Sequence, residues 1–242
     1  MTISITRAMI LAAGKGVRMR PLTNDKPKAL VPVAGRPLIA HAIDRLKSAG
    51  VKQIVVNVHS FADQLIGFLE GVKDVEIIIS DERGGLLDTG GALLKALPHF
   101  RGEPFFTHNC DTIWAESFSN SLERMKQRWD PVRMDGLMLL APMVRALGYD
   151  GRGDFDMGPE GELSRREEQR VAPFVWMGVQ IVHPRLFEEA PGGAFSTNVL
   201  WDRAIEAGRL YGLRLDGTWM HVGSPDGLAE AEAFIRTLDV RR

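Results

Sequence analysis

Several features that are common in other protein classes are scarce in this chain of 242 residues. Its single cysteine, Cys110, excludes an intramolecular disulfide and a zinc site built from several cysteines. The net charge is -1, so no overall field favours nucleic acid or an anionic membrane. No apolar stretch approaches the ~18 residues of a membrane span, and the N-terminal sequence lacks a secretory hydrophobic region. We therefore expect a cytoplasmic protein that binds neither nucleic acid nor membrane.

Glycine and positive charge are instead concentrated in one segment near the N-terminus. The segment runs from Leu11 to Pro32 and reads LAAGKGVRMRPLTNDKPKALVP. It follows an apolar run, residues 8–11, that predicts a short buried strand. Gly14 and Gly16 allow the backbone to turn sharply and to approach a ligand closely. The basic residues of the segment are Lys15, Arg18, Arg20, Lys26 and Lys28. Free N–H groups and cations just past a strand end suit a polyphosphate.

Two common phosphate-binding motifs are excluded by their spacing. A Walker loop requires G-x-x-x-x-G-K-[ST], and no such string occurs in the chain. A dinucleotide fingerprint requires a third glycine, three residues after Gly16, where this chain has Met19. A basic surface turn is the alternative that the glycine loop alone leaves open.

Strand-like and helix-like runs alternate along the first half of the chain. The predicted strands are residues 54–58, 75–79, 104–107, 137–140 and 175–182. The predicted helices are residues 37–48, 61–69, 89–97, 116–129, 197–207 and 225–238. Residues 149–170 are predicted to form loops, with short strands as the alternative. This alternation predicts an α/β fold with a mostly parallel sheet flanked by helices. Ligands in such sheets bind beyond the carboxyl ends of the strands, where the glycine loop lies.

The string G-K-G-V-R-M-R-P-L-T, followed by K-P-K-A-L-V-P-V-A-G-R-P-L, resembles the signature of the sugar-1-phosphate nucleotidyltransferases. The resemblance extends over essentially the whole chain and is strongest toward the N-acetylmuramate-1-phosphate uridylyltransferases of peptidoglycan recycling. It implies a Rossmann-like (GT-A-like) fold in one domain, residues 1–242. The nucleotide-binding core would extend to about residue 140, and the sugar-binding half would follow from about residue 141. The chain leaves no room for the C-terminal β-helix that some relatives carry.

The family's reaction is the attack of a sugar-1-phosphate oxygen on the α-phosphorus of a nucleoside triphosphate, with loss of pyrophosphate. The nucleophile is already an anion, so the enzyme needs to align two polyanions and stabilise charge rather than supply a strong base. The resemblance implies that Arg18, Lys28 and Asp111 are catalytic. The planar fork of Arg18 fits phosphate oxygens. Asp111 would hold the cofactor, Mg²⁺ with Mn²⁺ as the alternative.

Other segments resemble the family's ligand-binding elements. Leu87-Asp88-Thr89-Gly90-Gly91 is similar to the L-x-T-G-G segment that approaches the nucleotide, and two glycines in a first helical turn predict close approach of a ligand. The implied nucleotide-binding residues are Leu11, Ala12, Ala13, Gly14, Gly16, Glu82, Thr89 and Gly90. The implied sugar-binding residues are Asn109, Gly151, Asp154 and Asn198. The sugar-phosphate lysine of many relatives has no counterpart, and Arg165, Arg166 and Arg170 are the basic residues in that region.

One position departs from the family's pattern. Trp219-Met220-His221-Val222-Gly223-Ser224 resembles W-x-D-V-G-T, in which the aspartate is usually the second metal ligand. His221 stands in its place, and imidazole prefers softer metals than magnesium. Three interpretations stay open. Asp111, phosphates and water hold the metal alone; His221 favours Mn²⁺; or catalysis is impaired, and the chain is a silent regulator that binds nucleotide sugars.

The implied partners are a nucleoside triphosphate and a sugar-1-phosphate. The A-A-G start of the loop resembles uridylyl and thymidylyl enzymes, whereas guanylyl enzymes often have G-G there. We therefore expect UTP and N-acetylmuramate-1-phosphate. Mannose-1-phosphate guanylyl transfer and glucose-1-phosphate thymidylyl transfer are the alternatives. A monomer or a small homo-oligomer is expected.

Overall fold

The computed structural model of the chain describes residues 4–239, so both ends of the predicted domain, 1–3 and 240–242, lie outside the described residues. The strands are β1 (Arg7–Leu11), β2 (Pro32–Val33), β3 (Arg36–Pro37), β4 (Gln53–Val58), β5 (Glu76–Asp81), β6 (Phe105–Asn109), β7 (Thr112–Glu116), β8 (Gly136–Pro142), β9 (Ala146–Leu147), β10 (Phe155–Met157), β11 (Leu163–Arg165), β12 (Phe174–Val182), β13 (Leu210–Arg214) and β14 (Gly217–His221). The α-helices are α1 (Leu38–Ser48), α2 (Ala62–Glu70), α3 (Asp88–Ala96), α4 (Ser121–Arg128), α5 (Asn198–Glu206) and α6 (Pro225–Asp239). Over residues 4–239, none of the helices has the length and apolar character of a membrane span.

A nine-stranded sheet forms the centre of the molecule. β1 lies between β4 and β6, with β5 beyond β4, and these four strands are parallel. Past β6 the sheet continues through β12, β8 and β13, and β12 is antiparallel to both of its neighbours. β10 and β11 extend from the beginning of β12. Only β11 and β12 run against the other strands of this sheet, so the predicted mixed, mostly parallel sheet flanked by helices is confirmed.

Apolar side chains on both faces explain why the first strands lie in the interior. In β1, Ala8 and Ile10 pack in one hydrophobic cluster with residues of α1, α2 and α4. Met9, between them, packs in a second cluster with residues of α3 and α5. Strands that are covered on both faces have continuous apolar sequences, and this is the pattern that predicted β1.

The predicted helix at residues 116–129 is wrong at its beginning. Glu116 is the last residue of β7, and α4 begins at Ser121, where the Asn120 side chain accepts a hydrogen bond from the Glu123 amide at 3.1 Å. β7 pairs with β14, which lies far away along the sequence. Local patterning does not reveal such a partner. The region predicted as loops with short strands as the alternative, residues 149–170, contains the short strands β10 and β11.

A third hydrophobic cluster connects the two ends of the described chain. Met19, in the loop after β1, packs with Met220 and Val222 at the end of β14 and with Ala231 on α6. All four side chains are almost completely buried. The loop after β1 therefore rests on β14 and α6.

Candidate active site

The carboxyl ends of the parallel strands surround a cavity of about 430 Å³. Ten of the predicted site residues line it: Leu11, Ala13, Gly14, Gly16, Arg18, Lys28, Glu82, Thr89, Asn109 and Asp111. The remaining predicted residues lie outside this lining; they are Ala12, Gly90, Gly151, Asp154, Asn198 and His221. The cavity lies at the edge of the sheet where a parallel α/β topology predicts a ligand.

Gly16 closes the turn of the loop after β1. Its φ of 62° is in the left-handed region, and a Cβ there would lie 3.1 Å from Thr23 Cγ2 and 3.2 Å from Lys28 Cβ. The Thr23 hydroxyl donates to the Gly16 carbonyl oxygen at 2.8 Å, which fixes the turn. Around Gly14, in contrast, a Cβ would meet nothing within 4 Å. Gly16 thus serves the turn, and Gly14 faces open space at the cavity.

The loop presents unengaged donors to the cavity. Within residues 4–239, the amides of Gly14, Lys15 and Gly16 donate no hydrogen bond, and the side chains of Lys15 and Arg18 form no ion pair. Arg18 is exposed and lines the cavity. Amides and cations that point at one space form a binding site for an anion with several oxygens.

Asn57, which the sequence analysis did not single out, anchors the start of the loop. Its Oδ1 accepts hydrogen bonds from the amides of Ala12 at 2.6 Å and Ala13 at 3.3 Å. Its Nδ2 donates to Glu82 Oε1 at 2.8 Å, and Glu82 Oε2 accepts from the Leu87 amide at 3.2 Å. The one signal in the sequence is that Asn57 interrupts the apolar run of β4, between Val56 and Val58.

Lys28 and Asp111 form an ion pair on the cavity wall, with Nζ 2.6 Å from Oδ2. Burial by itself would raise the pKa of the Asp111 carboxyl. The charge of Lys28 and the hydrogen bond that it donates outweigh burial, so the pKa of Asp111 lies below its usual value. Asp111 is therefore ionised at neutral pH.

His221 lies beside this pair at the end of β14. The Val222 amide donates to the Asp111 carbonyl oxygen at 3.1 Å, which joins the two segments. Burial lowers the pKa of His221, the Asp111 charge opposes this, and nearby positive charges lower it further, so the imidazole is neutral at pH 7. The ring lies over Gly223, where a Cβ would come within 2.3 Å of Nε2. Gly223 itself lines the cavity.

These side chains fit a hard divalent cation when a bound phosphate supplies further ligands. Within residues 4–239, no group of three or more His, Cys, Asp or Glu side chains is arranged to hold a metal. Asp111 offers an ionised carboxylate, and Mg²⁺ commonly binds one or two carboxylates together with substrate phosphates and water. The imidazole of His221 suits softer metals. Asp111 is thus the anchor that this site offers to a divalent cation.

Cys110 lines the cavity without being a nucleophile. Its side chain is 6% exposed, and burial together with the Asp111 charge raises the thiol pKa to about 12. A thiol with that pKa stays protonated at neutral pH and reacts poorly, because the thiolate is the reactive form.

Hydrogen bonds join the start of α3 to the segment before α5. The Gly90 and Gly91 amides donate to the Phe195 carbonyl oxygen at 2.8 and 3.2 Å, and the Thr197 amide donates to Thr89 Oγ1 at 3.0 Å. A Cβ at Gly90 would come within 2.3 Å of the Phe195 ring. The close neighbour of Gly90 is therefore the protein's own Phe195, whereas the two glycines in the sequence predicted a ligand there.

The predicted sugar-binding residues are spread over a wider area. Asn109 lines the cavity at the end of β6. Asp154 accepts a hydrogen bond from the Trp176 amide at 2.9 Å, and burial raises the pKa of its carboxyl. A Cβ at Gly151 would lie 2.2 Å from the Tyr149 hydroxyl oxygen. The absence of a side chain at Gly151 therefore allows the Tyr149 ring to pack against its own loop.

The arginines of this second region are held by the protein. Arg165 pairs with Asp202 at 2.7 Å and donates to Asn198 Oδ1 at 2.9 Å. Arg166 donates to three backbone carbonyl groups of its own region. Arg170 pairs with an acidic neighbour at 3.0 Å. These contacts stabilise the loops around β10 and β11.

Comparison with known proteins identifies the family. Residues 8–136 match the model of the MobA-like NTP transferase domain. The chain is 44% identical over 230 residues to the N-acetylmuramate alpha-1-phosphate uridylyltransferase of Caulobacter vibrioides, covering 93% of this chain and 95% of that protein. The chain belongs to the sugar-1-phosphate nucleotidyltransferase family. A relative of the same name from Neisseria meningitidis serogroup B is 33% identical over 94% of this chain and 97% of its own length.

The fold of this nucleotidyltransferase is also found among solved structures. UDP-glucose pyrophosphorylase complexed with UDP-glucose superposes with a TM-score of 0.76 at 18% identity, covering 97% of this chain and 99% of that one. At this identity the likeness concerns the fold. The family resemblance, the enzyme class and the fold predicted from the glycine loop and the strand pattern are confirmed, and the roles of the individual residues stay predictions.

Proposed function

We propose that this nucleotidyltransferase transfers uridine monophosphate from UTP to N-acetylmuramate-1-phosphate, which gives a UDP-sugar and pyrophosphate. The observation that carries the proposal is the 44% identity, over 93% of the chain, to the Caulobacter vibrioides protein of that name. The product returns an N-acetylmuramate unit to cell-wall synthesis, as in peptidoglycan recycling. The reaction consumes a nucleoside triphosphate, so we assign it to the cytoplasm.

The two halves of the chain divide the substrates in this proposal. Residues up to about 140 bind the nucleotide, and the residues from about 141 onward shape the sugar site. In support of this division, nearly the whole cavity lining comes from the first half, with Gly223 as the exception. Asn109, which lines the cavity, contacts the sugar. Gly151, Asp154 and Asn198 lie outside the lining and contribute further contacts from the second half.

The glycine loop binds the triphosphate. The unengaged amides of Gly14, Lys15 and Gly16 donate to its oxygens, and the planar guanidinium of Arg18 spans two of them. The nucleotide base lies toward Leu11, Ala13, Glu82 and Thr89, with Ala12 and Gly90 supporting the backbone there. In this proposal the α-phosphorus lies near Asp111 and Lys28.

Transfer requires one bond to form and one to break. An anionic oxygen of the sugar-1-phosphate forms a bond to the α-phosphorus, and the bond from that phosphorus to the oxygen bridging the β-phosphate breaks. Pyrophosphate leaves with the electron pair. Arg18 and Lys28 stabilise the negative charge that develops on the transferring phosphoryl group, which is the main task of the enzyme in such reactions.

We propose Mg²⁺ as the cofactor, held by Asp111, with Mn²⁺ as the alternative because His221 stands beside it. When bound, the metal neutralises charge on the triphosphate and on the departing pyrophosphate. Lys28 keeps the Asp111 carboxylate ionised, so the carboxylate is ready to bind a cation. His221, neutral at pH 7, adds no charge to the site.

Pyrophosphate release tests the proposal. The purified protein is supplied with Mg²⁺ or Mn²⁺, and UTP, dTTP and GTP are crossed with N-acetylmuramate-, glucosamine-, glucose- and mannose-1-phosphates. We expect a clear preference for UTP with N-acetylmuramate-1-phosphate. Preference for another pair would contradict the substrate assignment within the same enzyme class. Nucleotide-sugar binding without release from any pair would identify a silent regulator and point to His221.

A further inference from the structure

A chain of buried hydrogen bonds connects two loops that both line the cavity. Asn57 on β4 and Glu82 after β5 are 3% and 2% exposed, and their side chains are joined at 2.8 Å. On one side, Asn57 Oδ1 accepts from the amides of Ala12 and Ala13. On the other side, Glu82 Oε2 accepts from the Leu87 amide. The connection thus runs from the glycine loop to the segment before α3.

The polarity of this pair is fully determined. The Asn57 oxygen faces backbone donors, so its amide nitrogen must face Glu82, and both Glu82 oxygens face donors. Burial of polar side chains is costly unless they are hydrogen bonded, and here each side-chain polar atom has a partner. The pair is therefore specific in both position and orientation.

We propose that Asn57 and Glu82 are a positioning pair that sets the spacing between the two backbone segments that hold the nucleotide. The inference rests on the proposed binding of a nucleoside triphosphate in this cavity and is independent of the sugar. Asn57 acts through Ala12 and Ala13, and Glu82 acts through Leu87.

The pair also decides which amides remain for the triphosphate. Because Asn57 engages the amides of Ala12 and Ala13, the donors left to a ligand begin at Gly14. A change in the pair would shift the start of the loop and misalign the donors that follow. The affinity for the nucleotide should then fall, while the affinity for the sugar phosphate should change little.

An exchange of polarity within the pair provides the sharpest test. In Glu82→Gln, every orientation of the two amides leaves two donors or two acceptors facing each other. In Asn57→Asp, two carboxylates meet in a buried space. The double variant N57D/E82Q removes both conflicts, because the carboxylate at 57 accepts from the loop amides and from the amide at 82, whose oxygen accepts from Leu87. Its hydrogen bonds match those of the wild type in number.

The readouts are UTP affinity by titration calorimetry in Mg²⁺ without sugar phosphate, steady-state KM for each substrate, and melting temperature. We expect Glu82→Gln and Asn57→Asp to weaken UTP binding about tenfold, the effect of one lost buried hydrogen bond. The KM for the sugar phosphate should change less than about threefold. The double variant should recover UTP affinity to within about threefold of the wild type.

A second amide–carboxylate pair on the same two strands supplies a matched control. Gln53 Nε2 donates to Glu76 Oε2 at 2.8 Å, and these residues are register partners at the opposite end of β4 and β5. The variants Gln53→Glu and Glu76→Gln, singly and combined, should leave the KM for UTP unchanged. The hydrogen bond of this pair is exposed, so the pair controls for the change of side-chain polarity on β4 and β5, and the melting temperature separates a loss of fold stability from a loss of UTP affinity.

Three outcomes would overturn the inference. They are unchanged UTP affinity in Glu82→Gln, no recovery in the double variant, and equal changes in the KM of both substrates. Failed recovery would indicate that Glu82 contacts the base directly. If a single variant does not fold, the UTP affinity of the double variant tests the inference by itself, because every donor and acceptor of the double variant's pair has a partner. UTP calorimetry measures the effect of the Asn57–Glu82 pair without any sugar phosphate. Failure of the sugar assignment can therefore be distinguished from failure of the positioning role.

Discussion

The cations on the two sides of the proposed site are used in different ways. On the nucleotide side, Lys15 and Arg18 form no ion pair with the part of the chain that the structure describes. On the sugar side, Arg165, Arg166 and Arg170 bind carboxylates and carbonyl groups of their own region. The first region keeps its charge for a ligand, and the second uses its charge to hold its loops in place.

This difference predicts a separation of activity from stability. A cation without a protein partner contributes to ligand binding and adds little to the folded state, since exposed charges stabilise proteins weakly. A cation that holds backbone carbonyl groups contributes to the folded state first and to the substrate only through the shape of its loop. Substitutions on the two sides should therefore affect different measurements.

Arg18→Ala should give the largest loss of activity with the least loss of stability. We expect turnover to fall at least about a hundredfold, because a charged contact to the transition state is removed. The melting temperature should stay unchanged, since Arg18 is exposed. Arg20→Ala, on the same loop but outside the cavity lining, is the control. A loss below tenfold would contradict the role of Arg18.

Asp111→Ala should lower both activity and stability, because Asp111 is proposed to hold the metal and also pairs with the buried Lys28. Turnover should fall on the order of a hundredfold and lose its dependence on added metal. The variant leaves Lys28 buried without its partner, and we expect a loss of about 3–5 kcal/mol in the free energy of unfolding. Urea unfolding measures the second effect. Metal-dependent turnover at wild-type level would exclude Asp111 as the anchor.

Arg166→Ala should show the reverse of Arg18→Ala. The loss of its hydrogen bonds to three carbonyl groups should destabilise the fold by about 1–3 kcal/mol. The KM for the sugar phosphate should rise while the KM for UTP stays constant. Arg170→Ala, which removes only an exposed ion pair, is the matched control and should change stability by less than about 1 kcal/mol. Equal losses in the free energy of unfolding for Arg166→Ala and Arg170→Ala would contradict the stabilising role of the Arg166 hydrogen bonds.

Gly90→Ala tests the contact between the two sides. The added methyl group meets the Phe195 ring at 2.3 Å and its carbonyl oxygen at 2.9 Å, so we expect a loss of about 1–3 kcal/mol in the free energy of unfolding. Gly14→Ala, where the methyl group meets open space, should leave the melting temperature unchanged. An unaffected melting temperature in Gly90→Ala would show that the Phe195 segment moves freely.

The smallest effect is expected at Cys110 near neutral pH. Its pKa, raised to about 12, should protect the thiol from alkylation by iodoacetamide at pH 8.5 in the folded protein, whereas the unfolded protein should react. The raised pKa also stabilises the fold at low and neutral pH. That contribution is lost as the pH rises from ~8.5 toward the folded-state value. Cys110→Ala should lack this alkaline decrease, and rapid alkylation of the native protein would contradict the burial.

The sequence predicts those features that depend on neighbouring residues. The apolar run of β1, the turn at Gly16 and the polar residues that follow β6 are local patterns, and the structure brings them to one cavity. The bounds of α1, α2, α3, α5 and α6 agree within about two residues for the same reason.

Features that depend on distant residues were missed. The sequence does not predict β7, and Glu116 at its end falls within the predicted helix, because the partner of this strand, β14, lies in the second half of the chain. Asn57 contacts the amides of Ala12 and Ala13 and the Glu82 carboxylate, and one asparagine in an apolar run does not predict this set of partners. Likewise, the glycine at position 90 does not indicate that its close neighbour is Phe195.

The burial of Met19 has a consequence for the synthesis of the chain. Met19 lies at the end of the glycine loop, and its packing partners Met220, Val222 and Ala231 come from the opposite end of the sequence. At ~5–20 residues per second, a ribosome makes the loop roughly ten seconds or more before it makes this support. During that interval the nascent glycine loop lacks the side chains that pack against Met19. A growing chain therefore completes the support of this loop only when translation has reached α6.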